Sequence, residues 1–236
     1  MLDKIDLQKV LFLDIETVPQ FENYDDVPER LQKLWDTKAG FLARNNETPE
    51  ELYERAGIYA EFGKIVCISV GYMHEGAIRL KSFFSDNEVE LLKEFTELLN
   101  QHYSSPYQLL CAHNGKEFDF PYMARRLLIN GLPLPSILNI AGKKPWEVQH
   151  LDTLELWKFG DYKNYTSLNL LTAIFDIPTP KDDIDGSMVG DVYYVEKNLK
   201  RIKEYCEKDV VALTQVMRRY KNLELIPEKA IHYSEW

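Results

Sequence analysis

The chain has 236 residues, of which 45% are hydrophobic and 28% charged, and its formal net charge is -10. This size and composition fit a single α/β domain over residues 1–236, and the acidic balance argues against a protein that holds nucleic acid along a broad basic surface. No apolar run approaches the length of a membrane span and no charged-then-apolar leader opens the chain, so we expect no membrane association and a cytoplasmic location.

The first predicted element is a buried strand over residues 9–17, an apolar run with two acids near its end. Alternate side chains of a strand share a face, so Asp14 and Glu16 point the same way and Ile15 points into the opposite layer. Two acids that converge here repel each other and lose hydration unless a cation lies between them. The alternative is that both acids leave the strand into a solvated loop.

A polar, partly helical insertion is predicted over residues 20–62. Two segments within it, residues 28–35 and 48–53, carry the sequence pattern of a helix start. We interpret the insertion either as a lid or strand-guiding element, or as a helical pair packed on the edge of the sheet.

Three more strands and a helix follow the insertion. Residues 64–72 and 77–84 have the composition and length of two strands. The next helix is predicted to begin at Ser85, because Glu88 three residues later completes a capping box. The fourth strand is the run that enters Asn114.

A second group of candidate site residues lies where the fourth strand gives way to a helix. This helix is predicted to run to Asn130, with Gly131 ending it. Asp119 therefore lies at a helix N-terminus, where it either caps the helix or points toward the end of the first strand. In the second case, Asn114 and Phe118 offer an amide and an aromatic ring to a nucleotide.

The stretch before the last motif contains one further candidate carboxylate. Asp152 ends a short strand-like run and is either an outer carboxylate of the site or the cap of a helix that begins at Thr153. A capped helix is predicted over residues 165–171, and a loop that approaches the site is predicted over residues 178–190. The acids of this loop, which we expect to be solvated rather than metal ligands, are Asp182, Asp183 and Asp185.

The third group lies on a predicted helix over residues 199–217. Tyr205 and Asp209 are four residues apart and therefore lie one turn from each other on one face. The same face carries apolar side chains at helical spacing, so it turns toward the protein. These apolar residues are Ile202, Leu213 and Val216. An aspartate on such a face needs a partner, whereas Tyr205 by itself would be interpreted as a half-buried core aromatic.

The three groups resemble the motifs of the DEDD superfamily of 3′-5′ exonucleases, specifically its tyrosine-bearing DEDDy branch and its relatives of the proofreading domain in family B DNA polymerases. The resemblance covers most of residues 8–221. The matching residues are Asp14 and Glu16, then Asn114, Gly115, Phe118 and Asp119, then Tyr205 and Asp209. The resemblance implies an α/β, ribonuclease-H-like fold: a mixed five- or six-stranded sheet flanked by helices, with a helical insertion after strand 1 and Asp14 at the carboxyl end of a middle strand.

By the same resemblance, we expect a metal-dependent 3′-5′ exonuclease that acts on nucleic acid 3′ ends, single-stranded DNA above all, and releases nucleoside 5′-monophosphates. Carboxylates are the hard oxygen ligands that Mg²⁺ or Mn²⁺ prefers, and two such ions can stabilise charge on the attacking and leaving oxygens. Asp14 would bridge both ions, Glu16 and Asp209 would hold the ion that activates water, and Asp119 would act mainly through waters on the other ion.

The remaining implied roles concern water and substrate. Tyr205 would orient the attacking water, because a hydroxyl with an unperturbed pKa of about 10 is a poor base at neutral pH. The implied substrate contacts are Ile15, Thr17, Asn114 and Phe118.

Four local groups of basic residues are candidates for binding a polyanion on this acidic chain. They are Lys143 with Lys144, Lys158 with Lys163, Arg125 with Arg126, and the run Lys197, Lys200, Arg201 and Lys203. Each group is alternatively a solvated helix face. We therefore expect short-lived, salt-sensitive and poorly processive binding at a strand end.

Two other functions remain open on the sequence: a catalytically silent nucleic-acid-binding module, or the same chemistry applied to RNA or small nucleotide esters. Three cysteines, Cys67, Cys111 and Cys206, lack metal-type spacing and are expected to be buried apolar residues rather than ligands or disulfides.

Overall fold

A mixed six-stranded sheet with helices on both faces forms the centre of the protein, in a computed structural model that describes residues 2–161, 163, 165–178 and 184–234. The strands are β1 (Val10–Pro19), β2 (Gly63–His74), β3 (Ala77–Phe84), β4 (Leu109–Ala112), β5 (Leu151–Asp152) and β6 (Ile231–Tyr233). The α-helices are α1 (Glu29–Leu42), α2 (Glu88–His102), α3 (Asp119–Ile129), α4 (Thr153–Lys158), α5 (Leu168–Ile174), α6 (Val189–Tyr194) and α7 (Leu199–Tyr220). The predicted α/β sheet of five or six strands is therefore confirmed.

Strand β1 is central in the order β5-β4-β1-β2-β3-β6. It pairs in parallel with β4 only from Val10 to Phe12, whereas its antiparallel pairing with β2 continues to Pro19. The expectation that Asp14 ends its strand is therefore wrong, because hydrogen bonds to β2 extend β1 past it. Asp14 lies instead where the pairing with β4 has stopped, which leaves one side of β1 open.

The side chains of β1 alternate between two cores. Leu13 and Ile15 belong to the core that includes residues of α2 and α3, whereas Phe12 packs with residues of α7. Because neighbouring side chains of a strand point to opposite faces, Asp14 and Glu16 are directed to the α7 side. Strand periodicity thus sets which helix meets the acids.

The insertion over residues 20–62 contains one α-helix, α1, and a 3-10 helix over Tyr53–Ile58, which share a small core around the fully buried Trp35. The predicted second helix start does form reciprocal hydrogen bonds, between Thr48 N–H and the Glu51 carboxylate and between Glu51 N–H and the Thr48 hydroxyl. These bonds initiate a turn and the 3-10 helix rather than a second α-helix. The 3-10 helix packs against the central strand β1, so the interpretation as a helical pair on the sheet edge is wrong.

A buried ion pair ties α2 to α3. The guanidinium of Arg126, which is 3% exposed, donates to both carboxylate oxygens of Glu88, at 2.9 Å from Nε and 2.5 Å from Nη2. Glu88 also accepts hydrogen bonds from the backbone N–H of Ile65 and the side-chain amide of Asn130, and Arg126 donates to the backbone oxygen of Ala60. The pair is hydrogen-bonded on both sides, which offsets the cost of removing two charges from water.

Two predictions about Glu88 and Arg126 are wrong, because both side chains belong to this buried ion pair. The N-cap of α2 is Asn87, which accepts a hydrogen bond from the backbone N–H of Val89, and the Glu88 carboxylate is turned inward rather than back to Ser85. The predicted basic group of Arg125 and Arg126 is also not a surface patch, because Arg126 is buried in the ion pair with Glu88.

The three cysteines are free and buried, as predicted. Among the described residues, every helix is too short or too polar to cross a lipid bilayer.

We expect Arg126→Ala to lower the free energy of unfolding by about 3 to 5 kcal/mol, because the variant leaves the Glu88 charge buried without its partner. Urea denaturation at neutral pH measures this change. The matched control is Arg125→Ala, whose exposed side chain lies one residue away and whose loss should change stability by no more than about 0.5 kcal/mol. Equal destabilisation by the two variants would contradict this account of the ion pair.

Candidate active site

Strand β1 presents Asp14 and Glu16 on one face. Ile15 between them is packed in the opposite core, so the predicted alternation is confirmed. The register of the β1–β2 pairing shifts between Glu16 and Thr17, which bends the strand directly after the second acid. Glu16 is only 7% exposed, so the alternative of acids leaving into a solvated loop is wrong.

Asp119 approaches the same place from α3. Its carboxylate accepts a hydrogen bond from the backbone N–H of Ile15, and the residue is 3% exposed. Phe118 occupies the N-cap position and Asp119 is the first residue of the helix, so the interpretation of Asp119 as the N-cap is wrong. Its negative charge acts on both Asp14 and Glu16.

Helix α7 contributes Tyr205 and Asp209 from the far end of the chain. Both residues are half-buried, and the Tyr205 hydroxyl donates to the carboxylate of Asp209. The predicted inward face of this helix is confirmed, since Ile202 and Leu213 on it are buried. Five residues from three distant segments are thereby brought into electrostatic contact.

The acids of this cluster raise one another's pKa values. Burial first, and then the charges of Asp209 and Asp119, raise the pKa of Asp14 well above its ordinary range. Burial and the charge of Asp14 do the same to the pKa of Glu16, and burial raises the pKa of Asp119 to about 7. Burial and Asp209 also raise the pKa of Tyr205, so its phenol is protonated at neutral pH. The folded cluster therefore favours the binding of protons or cations.

Cys206 is a member of the site that sequence analysis missed. Its thiol donates to Asp14, with Sγ 3.4 Å from both the backbone oxygen and Oδ2. Single ligand atoms of Asp14, Glu16 and Cys206 all lie within 4.8 Å of one another. Burial raises the pKa of the Cys206 thiol, which makes it a hydrogen-bond donor to Asp14 rather than a thiolate ligand. The available signal was its position three residues before Asp209, on the same side of the helix.

Asp152 supports the loop that carries the second motif. Its carboxylate accepts hydrogen bonds from the backbone N–H groups of Asn114 at 3.0 Å and Lys116 at 3.1 Å. The same carboxylate accepts from Leu154 and Glu155 and so caps α4, which confirms the helix-cap interpretation. The support of the loop was not predicted, because only the pairing of β4 with β5 brings residues 114 and 152 together.

A cleft of about 750 Å³ opens beside the acids. Glu16, Thr17 and Phe118 line it on the β1 and α3 side, and the 3-10 helix of the insertion forms another wall. Gly57 of that helix lies so close to β1 that a Cβ there would approach the backbone of Val18 to 3.0 Å. The insertion therefore borders the cleft directly, and its role as a strand-guiding element stays a prediction.

The segment before α6 also lines this cleft, through Gly186 and Ser187. Its predicted approach to the site is confirmed, but the prediction of a loop up to Gly190 is wrong, because residues 186–188 form a 3-10 helix and α6 begins at Val189. Asp185 is exposed and accepts from the Ser187 N–H, as expected of a solvated acid. The predictions for Asp182 and Asp183 lie outside the described residues.

The basic run at the start of α7 is occupied by local ion pairs. Arg201 pairs with Glu196 at 2.6 Å, and Lys203 pairs with Glu207 at 3.0 Å. Lys200 lies 3.8 Å from its neighbour on the helix, Glu204. This arrangement agrees with the alternative of a solvated, paired helix face rather than a polyanion site.

The donor set fits hard divalent cations. Carboxylate oxygens are the ligands that Mg²⁺ and Mn²⁺ prefer, and the buried acids of this cluster have raised pKa values that a bound cation would lower. Asp14 and Glu16 lie on one strand, and Asp119 and Asp209 approach them from two helices. Such a site exists only in the folded chain, so the binding of a cation there would be coupled to folding.

Comparison with known proteins identifies a family and a similar solved structure. Residues 58–226 match the model of a family described as predicted 3′-5′ exonucleases related to the exonuclease domain of PolB. The fold is similar to that of the family B DNA polymerase from the hyperthermophilic archaeon Pyrobaculum calidifontis, with a TM-score of 0.52 and 14% sequence identity over 89% of this chain. The matched part is 24% of that polymerase, so the chain spans about a quarter of its length. The ribonuclease-H-like fold expected from the motifs is thereby confirmed.

The removal of one buried charge should stabilise the metal-free protein. In EDTA at pH 8, above the raised pKa of Asp119, we expect Asp119→Asn to raise the melting temperature by about 2 to 8 °C, the effect of about 1 to 2 kcal/mol in a domain of this size. The amide oxygen of asparagine can still accept the hydrogen bond from Ile15.

The sign follows from the direction of the pKa shift. A carboxyl whose pKa is raised by folding lowers the stability of the protein as pH rises from the unfolded pKa to the folded pKa. The difference in melting temperature between the variant and the parent should therefore shrink as pH falls toward 5. Thermal unfolding across this pH range measures it, with Glu94→Gln on the exposed face of α2 as control. A lower melting temperature for Asp119→Asn at pH 8 would contradict the repulsion.

Proposed function

Because the chain belongs to the family of predicted 3′-5′ exonucleases related to the exonuclease domain of PolB, we propose that it hydrolyses phosphodiester bonds from the 3′ end of nucleic acid, with DNA favoured, and releases nucleoside 5′-monophosphates. The observation that carries this proposal is the convergence of acids from β1, α3 and α7, one of which, Glu16, lines an open cleft. The family match begins after β1, so the proposed roles of Asp14 and Glu16 rest on their position in the fold.

Two divalent ions, Mg²⁺ or Mn²⁺, would supply an activated water and stabilise charge on the attacking and leaving oxygens. Asp14 is proposed to contribute to both ions, with Glu16 and Asp209 at one of them. Asp119, which already accepts the N–H of Ile15, is proposed to hold waters of the other. The thiol of Cys206 keeps Asp14 oriented by donating to its Oδ2.

Tyr205 is proposed to orient the attacking water rather than to remove its proton. Its hydroxyl is hydrogen-bonded to Asp209, and its raised pKa keeps the proton on the phenol at neutral pH. A protonated phenol can fix the direction of a water lone pair but is a poor general base. The group is therefore a positioning residue for the nucleophile.

Substrate contacts are proposed along the cleft wall formed by β1 and the start of α3. Phe118 and Thr17 line the cleft beside Glu16, where an aromatic ring and a hydroxyl suit a terminal nucleoside. Ile15 is 5% exposed and also lines the cleft, while its N–H holds Asp119. The exchange of bound strands is expected to be fast, because the acids of this cleft repel phosphates.

The proposal is tested by a time course on 5′-labelled single-stranded DNA with Mg²⁺, Mn²⁺ or EDTA. We expect a ladder that shortens from the 3′ end with either ion but not in EDTA, and a rate reduced about a thousandfold or more by Asp14→Asn. The control variant is Asp185→Asn, which removes an exposed acid near the same cleft and should leave the rate unchanged. Absence of metal-dependent cleavage on DNA, RNA and small nucleotide esters would overturn the proposal in favour of a silent binding module.

The role of Tyr205 gives a sharper expectation. Tyr205→Phe should lower kcat about 10- to 100-fold with little change in KM, because only the orientation of the water is lost while the ring still packs against the core that includes Val189 and Ile202. Steady-state kinetics on the same DNA measures both constants. An unchanged kcat would remove the hydroxyl from the mechanism.

A further inference from the structure

A second cavity, of about 550 Å³, lies on the other side of the 114–118 loop from the catalytic cleft. Asn114 lines this cavity, whereas Phe118 at the other end of the loop lines the cleft. Its apolar lining includes Leu138 and Val148, both largely buried. We call it the basic groove, because its lining includes four cationic side chains: Lys116, Arg125, Lys143 and Lys158.

Among the described residues, one of these four cations is held by an ion pair within the groove. Lys116 is bound to Glu155 by an ion pair of 2.6 Å. The carboxylate of Asp152, which also lines the groove, is occupied by backbone N–H groups. The lining as a whole holds these four cationic side chains against three carboxylates, those of Glu117, Asp152 and Glu155. The groove is thus locally positive on a chain whose formal net charge is -10.

The catalytic cleft has the opposite charge. Besides Glu16, its lining includes the acids Glu22, Glu50, Glu54 and Asp191, against the single arginine Arg55 among the described lining residues. A polyanionic strand bound only in that cleft would meet repulsion along its length beyond the metal ions. The adjacent basic groove offers the attraction that the cleft lacks.

Two exposed aromatic side chains accompany the cations. Trp146, in the same loop as Lys143, is 76% exposed, and Nζ of Lys144 lies 5.2 Å from its ring centroid. Tyr165 is 65% exposed, with Nζ of Lys158 at 5.8 Å from its ring. Exposed aromatics beside cations are suited to stacking bases while phosphates are neutralised nearby.

Tyr165 lies near the start of the 114–118 loop, because the backbone oxygen of the next residue, Thr166, is 3.0 Å from Nε2 of His113. Burial first, and then the charges of Glu117, Asp152 and Asp119, raise the pKa of its hydroxyl. Two of these carboxylates, Glu117 and Asp152, line the groove.

We propose that the basic groove binds the single-stranded nucleic acid that extends from the nucleotide in the catalytic cleft, with its phosphates at Arg125, Lys143 and Lys158 and its bases on Trp146 and Tyr165. This inference rests on the proposed function and deepens it, since it names a second contact region of the same substrate. The 114–118 loop, which borders both the groove and the catalytic cleft, and the pairing of cations with exposed rings favour a nucleic acid strand over an acidic peptide.

The test compares the parent with the triple variant Arg125→Ala, Lys143→Ala, Lys158→Ala, which removes only surface cations. The control is a second triple variant, Lys4→Ala, Lys93→Ala, Lys229→Ala, which removes the same charge from exposed positions outside the groove lining. Binding of fluorescent oligothymidylates of about 4 and about 16 nucleotides, the range of common single-strand site sizes, is measured by anisotropy in EDTA over a salt series. Circular dichroism melting confirms that all three proteins are folded.

We expect the groove variant to bind the longer oligonucleotide at least about tenfold more weakly than the parent. The slope of log affinity against log salt should fall by about 2, because each single-strand phosphate contact contributes about 0.7. The control variant should keep both the affinity and the slope to within a small general charge effect, and affinity for the shorter strand should change less. Trp146→Ala should weaken binding of the longer strand without changing the salt slope.

A small substrate separates this inference from the proposed function. The p-nitrophenyl ester of thymidine 5′-monophosphate reaches the acids without filling the groove, so its metal-dependent hydrolysis should be equal in the parent and both triple variants. Equal oligonucleotide affinity and salt slope in the parent and the groove variant would overturn the groove as a strand site, whatever the ester result. Loss of oligonucleotide binding in the groove variant with no ester or DNA hydrolysis by any protein would support the groove and overturn the proposed hydrolase.

Discussion

The repulsion among acids that folding forces together is the constraint on which the rest of this structure depends. Asp14 and Glu16 are neighbours on one strand face, and Asp119 and Asp209 are added by two helices that pack against opposite sides of the sheet. Each of these side chains loses hydration and gains like-charged neighbours. The folded chain therefore has at its centre a cluster of acids that favours cations, and no single segment forms this cluster.

Other buried acids of the same protein show what a purely structural carboxylate requires. Glu88 is matched by the guanidinium of Arg126 and by a backbone N–H, and Glu207 is matched by Ser82 and Lys203. Asp152 has its oxygens filled by backbone N–H groups. The acids at β1 differ from these, because their main electrostatic neighbours are one another. This difference in partners, not burial, distinguishes a cation site from a structural acid.

The 114–118 loop divides the surface beside these acids into regions of opposite charge. Phe118 lines a cleft whose charged residues are mainly acids, and Asn114 lines a groove whose charged residues include four cations. Asp152 holds the backbone of this loop in place from β5. On the function proposed above, a polyanion would be bound locally, with metal ions on one side of this loop and basic side chains on the other.

The sequence by itself determined which faces of β1 and α7 carry the acids and the tyrosine. Alternation in β1 and helical spacing in α7 are local properties, so the shared face of Asp14 and Glu16 and the inward face of Tyr205 follow from residue order alone. What only the tertiary structure decided were the partners. Glu88 pairs with Arg126 instead of forming the predicted capping box. Cys206, from the far end of the chain, donates to Asp14. Arg125, Lys143 and Lys158, which belong to separate groups in the sequence, line one groove. Such contacts depend on strand pairing and helix packing between distant segments, which the local spacing of residues does not determine.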